Sequence, residues 1–303
     1  MHDFSHMLRV APTFEHPEIA DLSWVIGSCP LMKHSAQLPF QVIGEEWCLD
    51  QWMTHLPWLI DLDKDPSPLH EFLAANPQKL LGKKFEQLLH FWLLNHSDFE
   101  IVHVNHQIKR EQQTLGEIDF LVHYKPDDLF WHLESACKYY IGVRNNSHQR
   151  YWIGPNGRDS LHEKWQTLKR QLRLLDTPEG KTFFAQPTER FLFMKGYFFQ
   201  PFRELGRFTT PQHAHPHHRG GWYMTFPESK FLSSNQAQWH ILPHDRWMSL
   251  WQWEIQKPMT GDELAHQLFT SPQWNKQAQL VIQCLDGKEI SRGFIIPESV
   301  LRG

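Results

Sequence analysis

The sequence predicts an α/β fold with a mixed sheet, and three observations carry that prediction. An amphipathic helical stretch near residue 80 leads into three strand-like segments. A second amphipathic helix and an apolar strand follow. From residue 201 onward the pattern turns to short strands and turns. The chain has 303 residues, enough for one large core or two smaller ones, and 14 Trp and 21 Phe supply the apolar bulk. This order implies a helical N-terminal segment (1–75), a core of helix, three strands, helix and strand (76–200), and a strand-rich C-terminal region (201–303).

Residues 1–75 read as helical and irregular, anchored by Trp24, Trp47, Trp52 and Trp58. The polar, proline-containing stretch DLDKDPSPLHEF reads as a connector. In PQKLLGKKFEQLLHFWLLNH, Leu81, Phe85, Leu88 and Trp92 recur at helical spacing, and Pro77 suits the first turn. Glu86 lies beside that stripe, either along the seam or paired on the surface with Lys83 or His90. FEIVHVNHQI is a strand. EIDFLVHY and FWHLESACKYY then form a hairpin around KPDD, with Pro126 at the second position of a type I turn.

If KPDD is the loop, Tyr124 pairs with Leu129. Asp119 then lies opposite Glu134, and Glu117 opposite Ala136. Alternation of side chains puts Glu117, Asp119, Glu134 and Lys138 on one face. Opposed carboxylates on adjacent strands repel, and they invite either a shared proton or a bound cation. The plainer alternative is a solvated polar sheet face. GVRNNSHQRYWIGPNGRDS follows as a loop. SLHEKWQTLKRQLRLL is a helix with Ser160 and Glu163 as a capping box and a stripe running from Leu161 to Leu175. RFLFMKGYFF reads as a buried strand. RGGWYMTF, AQWHILP, LVIQCL and GFIIP are short strands, and TGDELAHQLF is a helix among them.

The net charge of −4 does not by itself announce a nucleic-acid partner. The charge is uneven, however: residues 138–173 hold eight Lys and Arg against two acids, leaving −10 elsewhere. That is either a solvated face or a surface for an anion. Four scattered cysteines without a paired motif read as reduced thiols of a cytoplasmic protein. Neither a signal peptide in MHDFSHMLRVAPTF nor a membrane-spanning apolar run is expected. GPNGRDS is glycine-rich before a helix but lacks the ending of a phosphate-binding P-loop. HAHPHH (213–218) is dense in imidazole, but zinc sites combine His with Cys or a carboxylate, so a polar surface loop is the plainer reading. Trp222 and Trp247 suit core packing better than base stacking.

A helix bearing Glu86, a strand, then a hairpin with Asp119 on one arm and Glu134 and Lys138 on the other, followed by a helix and a strand, resembles the PD-(D/E)xK nuclease superfamily. TLGEIDFL, HLESACKYY and GPNGRDSL look more narrowly like a bacterial family, a domain of unknown function, that has been placed in that superfamily. The resemblance implies a restriction-endonuclease-like core and metal-dependent phosphodiester hydrolysis of DNA or RNA. Asp119 and Glu134, with Glu117 in reserve, would hold Mg²⁺ or Mn²⁺, which activates water and stabilises the departing oxygen. Lys138 would position the water, and Glu86 would be an ancillary acid. Arg158, Lys164, Lys169, Arg170 and Gln171 would meet the nucleic-acid backbone. A protein partner fits as well. One departure stands out: the superfamily spaces its acid and lysine as acid-x-Lys, whereas here the spacing is Glu134-x-x-x-Lys138 with Ala136 between. Either Lys138 reaches back, or Glu117 replaces the missing acid, or the site is degenerate and the protein binds without cutting.

Overall fold

The structure, a computed structural model, describes residues 13–145, 147–232, 237–250, 257–270 and 276–301. Most of the N-terminal stretch on which the signal-peptide expectation rests lies outside these residues. The helices are α1 (Pro17–Gly27), α2 (Glu45–Lys64), α3 (Ser67–Ala75), α4 (Leu81–Asn95), α5 (Leu161–Gln171), α6 (Pro178–Phe183) and α7 (Gly261–Thr270). The strands are β1 (Gln41–Val42), β2 (Phe99–Arg110), β3 (Gln113–Tyr124), β4 (Leu129–Arg144), β5 (Arg150–Ile153), β6 (Thr188–Pro201), β7 (Arg219–Thr225), β8 (Gln238–Leu242), β9 (Gln279–Leu285) and β10 (Lys288–Ile296). The fold is mixed α/β, as the order of elements implied.

The chain forms two compact units. The first contains residues 1–137, 162–195 and 213–217, and the second contains 138–161, 196–212 and 218–303. In the first unit β2, β3 and β4 are antiparallel neighbours, β6 follows β4, and β1 pairs with β6 in parallel. The helices cover this sheet because their apolar stripes need a partner surface. On α4, Leu81, Phe85, Leu88, Leu89 and Trp92 are all buried. Phe85 stacks on Phe193 of β6, and Trp92 meets Trp47 and Phe99 edge-on. An ion pair between the buried Asp21 and the half-buried Lys84 ties α1 to α4 at 2.7 Å.

In the second unit β4 continues into an antiparallel pair with β5. The second half of β6 leads through parallel pairs to β7 and β10, and β9 and β8 add antiparallel pairs. Asp286 and Gly287, both at positive φ, make the tight turn joining β9 to β10. Trp222, Met224, Trp239, Leu264, Leu268, Val281 and Ile295 form its core. Trp222 and Trp247 are both buried, which is the packing role expected of them.

Four local expectations change. Helix α4 begins at Leu81 rather than at Pro77, because the Asn76 carbonyl is taken by the side-chain amides of Gln78 and Gln87. The stretch DLDKDPSPLHEF is helical except at Asp65 and Pro66, with Pro68 tolerated in the first turn of α3. The loop after β4 contains strand β5. Helix α5 stops at Gln171, and Leu174 turns instead onto Ile108, Ile118 and Leu121. Leu174 occupies the space over Gly116, where a Cβ would lie 2.7 Å from its methyl carbon.

Candidate functional site

The hairpin adopts the register read from its turn. Tyr124 pairs with Leu129, and the ladder runs to Phe120 opposite Leu133. One step further on, Asp119 and Glu134 take over from backbone pairing. Asp119 Oδ2 accepts from the Ser135 backbone N–H at 2.8 Å and from the Ser135 hydroxyl at 3.2 Å. Glu134 Oε1 accepts from the Asp119 N–H at 3.4 Å. Each carboxylate thus satisfies a backbone donor on the opposite strand, which a buried chain requires. The site is not a solvated sheet face, since Asp119 is 9% exposed and Glu134 is fully buried.

Burial sets the electrostatics. It pushes Asp119 up to about 7, with the Glu134 charge adding to the effect and Lys164 and Lys83 opposing it. It pushes Glu134 up to about 8, against the Asp119 N–H and Lys164. Glu86, 12% exposed, is also raised, first by burial and then by the charges of Asp119 and Glu117. His132 Nε2 lies 2.9 Å from Glu134 Oε1, but burial drops that imidazole to about 4. At neutral pH the contact is a hydrogen bond with a neutral ring and not an ion pair. Glu134 Oε2 and His132 Nδ1 are buried with no hydrogen-bond partner.

Two lysines face the acids. Lys83 Nζ is 2.8 Å from Glu86 and 3.9 Å from Glu117. Burial works against its charge, but the Glu86 hydrogen bond and the charges of Glu86, Asp119 and Glu117 hold its pKa above the usual value. Lys164, on the first turns of α5, acts on both Asp119 and Glu134. When Glu86, Glu117, Asp119 and Glu134 are all ionised, these two ammonium groups leave two negative charges to balance. A divalent cation would balance that charge, and the oxygens of Asp119 and Glu134 are the hard donors such an ion takes, although among the described residues no three of these acids bring ligand atoms within 4.8 Å of one another.

The remaining candidates are distributed as follows. Gln171, at the end of α5, donates to the Glu117 carbonyl at 3.5 Å, and its own amide oxygen is buried without a partner. Lys169 is half-buried and Arg170 is exposed on the same helix. Lys138 and Arg158 belong to the second unit, where Lys138 Nζ is paired with Asp159 at 2.5 Å and Arg158 is exposed. Sequence reasoning passed over His132 and Ser135. His132 was within reach of it, because strand alternation puts residue 132 on the face of Glu134.

No helix among the described residues is long and apolar enough to cross a membrane. No curated protein matches the chain, and no solved structure does. One family description, Domain of unknown function (DUF1853), matches residues 20–296. With almost its whole length matched, the chain belongs to the DUF1853 family.

Proposed function

We propose that the protein is a divalent-cation-dependent phosphodiester hydrolase acting on nucleic acid, with a PD-(D/E)xK-like core and Asp119 and Glu134 as ligands of Mg²⁺ or Mn²⁺. One observation carries this reading: two buried carboxylates on adjacent strands keep their protons into the neutral range and leave Glu134 Oε2 unpartnered. Groups so costly to bury are retained where they bind or react. A bound divalent ion supplies Lewis acidity toward a phosphoryl oxygen and an activated water. The chain's own residues do the rest. Ser135 fixes the Asp119 carboxylate, and His132 orients Glu134. Glu86, held by Lys83, is the ancillary acid. Lys164 is the cation that both ligands feel, placed to offset charge that develops on phosphorus. Lys169, Arg170 and Gln171, on the same helix as Lys164, contact the phosphate backbone. The four unbridged cysteines fit a reducing, cytoplasmic setting.

The test is hydrolysis of labelled single- and double-stranded DNA and RNA in Mn²⁺ or Mg²⁺. Asp119→Asn, Glu134→Gln and an EDTA control run beside the wild type. Cleavage by the wild type that falls at least about 10²-fold in each variant supports the reading. Cleavage unchanged in the folded variants removes these carboxylates from the chemistry.

A second reading, a nuclease-fold protein that binds nucleic acid or another protein without cutting, is favoured by the Lys138–Asp159 pair, which engages the motif lysine elsewhere. It requires binding that survives EDTA and Asp119→Ala. Binding lost with the metal rejects it.

A further inference from the structure

The imidazole-rich loop that the nuclease reading leaves unused meets, in the first unit, the Cys and carboxylate it lacks in sequence. Helix α1 ends at Gly27, and Leu31–Lys33 then runs antiparallel to His213–His215. Met32 bridges Ala214, Lys33 N–H donates to the His213 carbonyl at 2.9 Å, and His215 N–H donates to the Leu31 carbonyl at 3.0 Å. This short ladder sets His215 Nδ1 3.0 Å from Cys29 Sγ. Helix α2 begins at Glu45, whose carboxylate lies 3.6 Å from His215 Nε2 and 2.8 Å from His217 Nδ1. One donor atom each from Cys29, Glu45 and His215 fall within 4.8 Å of one another.

We propose that Cys29, Glu45, His215 and His217 form a binding site for a thiophilic divalent transition metal of the zinc type. The donor set decides the class. Thiolate and imidazole select zinc-like ions, whereas Mg²⁺ and Mn²⁺ prefer the all-oxygen carboxylates of the other site. The spacing agrees. Tetrahedral bonds of about 2.0–2.3 Å hold donor atoms roughly 3.3–3.8 Å apart, and one donor each from Cys29, Glu45 and His215 already lies within 4.8 Å of the others, while His217, now 2.8 Å from Glu45, must turn its ring inward to become the fourth donor. Backbone restraint comes from three directions, namely the end of α1, the start of α2 and the bridge at Ala214. The side-chain exposures grade from a buried Cys29 through His215 at 13% and Glu45 at 16% to His217 at 48%, so the sulfur is shielded while His217 gives access from solvent. Binding breaks the S–H bond and forms a metal–sulfur bond. The thiol proton leaves to solvent, no electrons are transferred, and one proton is released per ion from that thiol.

The test uses the full chain stripped of metal, in an Asp119→Asn/Glu134→Gln background so that the carboxylate site does not contribute. Co²⁺ is titrated while the near-ultraviolet thiolate-to-cobalt charge-transfer band and the visible bands are recorded, and Zn²⁺ is then added as competitor. One Co²⁺ per chain is expected, with a thiolate band and tetrahedral visible bands that Zn²⁺ abolishes. Cys29→Ser should lose the charge-transfer band with unchanged circular dichroism. The exposed His217→Ala should keep the fold and bind at least about tenfold more weakly. Absence of a thiolate band in the parent protein overturns the site, as does a band that persists in folded Cys29→Ser. Should Cys29→Ser fail to fold, undiminished affinity in both His217→Ala and Glu45→Gln overturns the donor set. Hydrolysis is not a readout here, so failure of this site and failure of the nuclease reading are separable.

Discussion

Asp119 and Glu134 are held by the same burial that makes them costly, and this gives a pH signature. Both have folded-state values raised above their ordinary 3.8 and 4.5, to about 7 and about 8. Between those limits the folded protein binds protons that the unfolded chain has already released. Their contribution to stability is therefore complete below about pH 4 and is lost as pH rises through 7 and 8. His132 and His96, both lowered to about 4 by burial, pull the other way, adding stability as pH rises toward 6.5. The carboxylate effect is thus cleanest above pH 6.5. Urea unfolding of metal-free protein should show stability falling between pH 6.5 and 8.5. The fall should flatten in Asp119→Asn/Glu134→Gln. Equal slopes in the two proteins would mean that these carboxyls are ionised when folded.

Among the elements, the ends matter most. The β3–β4 ladder stops where carboxylates replace its hydrogen bonds, and α1 stops where a lysine takes up its last carbonyls. Lys195 is fully buried on β6, and its ammonium donates to the Ser28 carbonyl, to the Ile26 carbonyl at 3.5 Å and to Cys48 Sγ at 3.1 Å. A cation at a helix C-terminus satisfies carbonyls that have no intrahelical partner and suits the helix dipole. Lys195→Met keeps the bulk and removes the donor, leaving those acceptors dry. We expect a loss of about 1–3 kcal/mol, seen as a lower urea midpoint at unchanged slope. An unmoved midpoint would show that the carbonyls find other partners. The same element illustrates the limits of pattern reading. The strand RFLFMKGYFF was legible as apolar, whereas nothing local says that its one lysine faces a helix end.

For the whole molecule, charge is the property to test. On the function proposed above, a chain of net charge −4 that sets four Lys and Arg against one acid between residues 162 and 173 should bind nucleic acid through that segment, with affinity falling steeply as salt rises. Lys169→Gln/Arg170→Gln should weaken binding across sequences and reduce the slope of log K against log salt by about one for each phosphate no longer neutralised. A slope identical to that of the wild type would place the nucleic acid elsewhere.

By itself the sequence determined most of the helices and strands, though not all their ends, and the register that brings Asp119 to Glu134 in one polar cluster. Hydrophobic period and turn chemistry are local, and a two-residue alternation fixes the face of every side chain on a strand. Only the tertiary structure decided which cation acts on those acids. Lys164 arrives on a helix 30 residues beyond Glu134, while Lys138, much nearer in sequence, is paired with Asp159. It also decided that Cys29 and Glu45 meet His215, which lies 186 positions beyond Cys29 in the sequence. Burial and electric field depend on which distant segments pack together, and no local period carries that information.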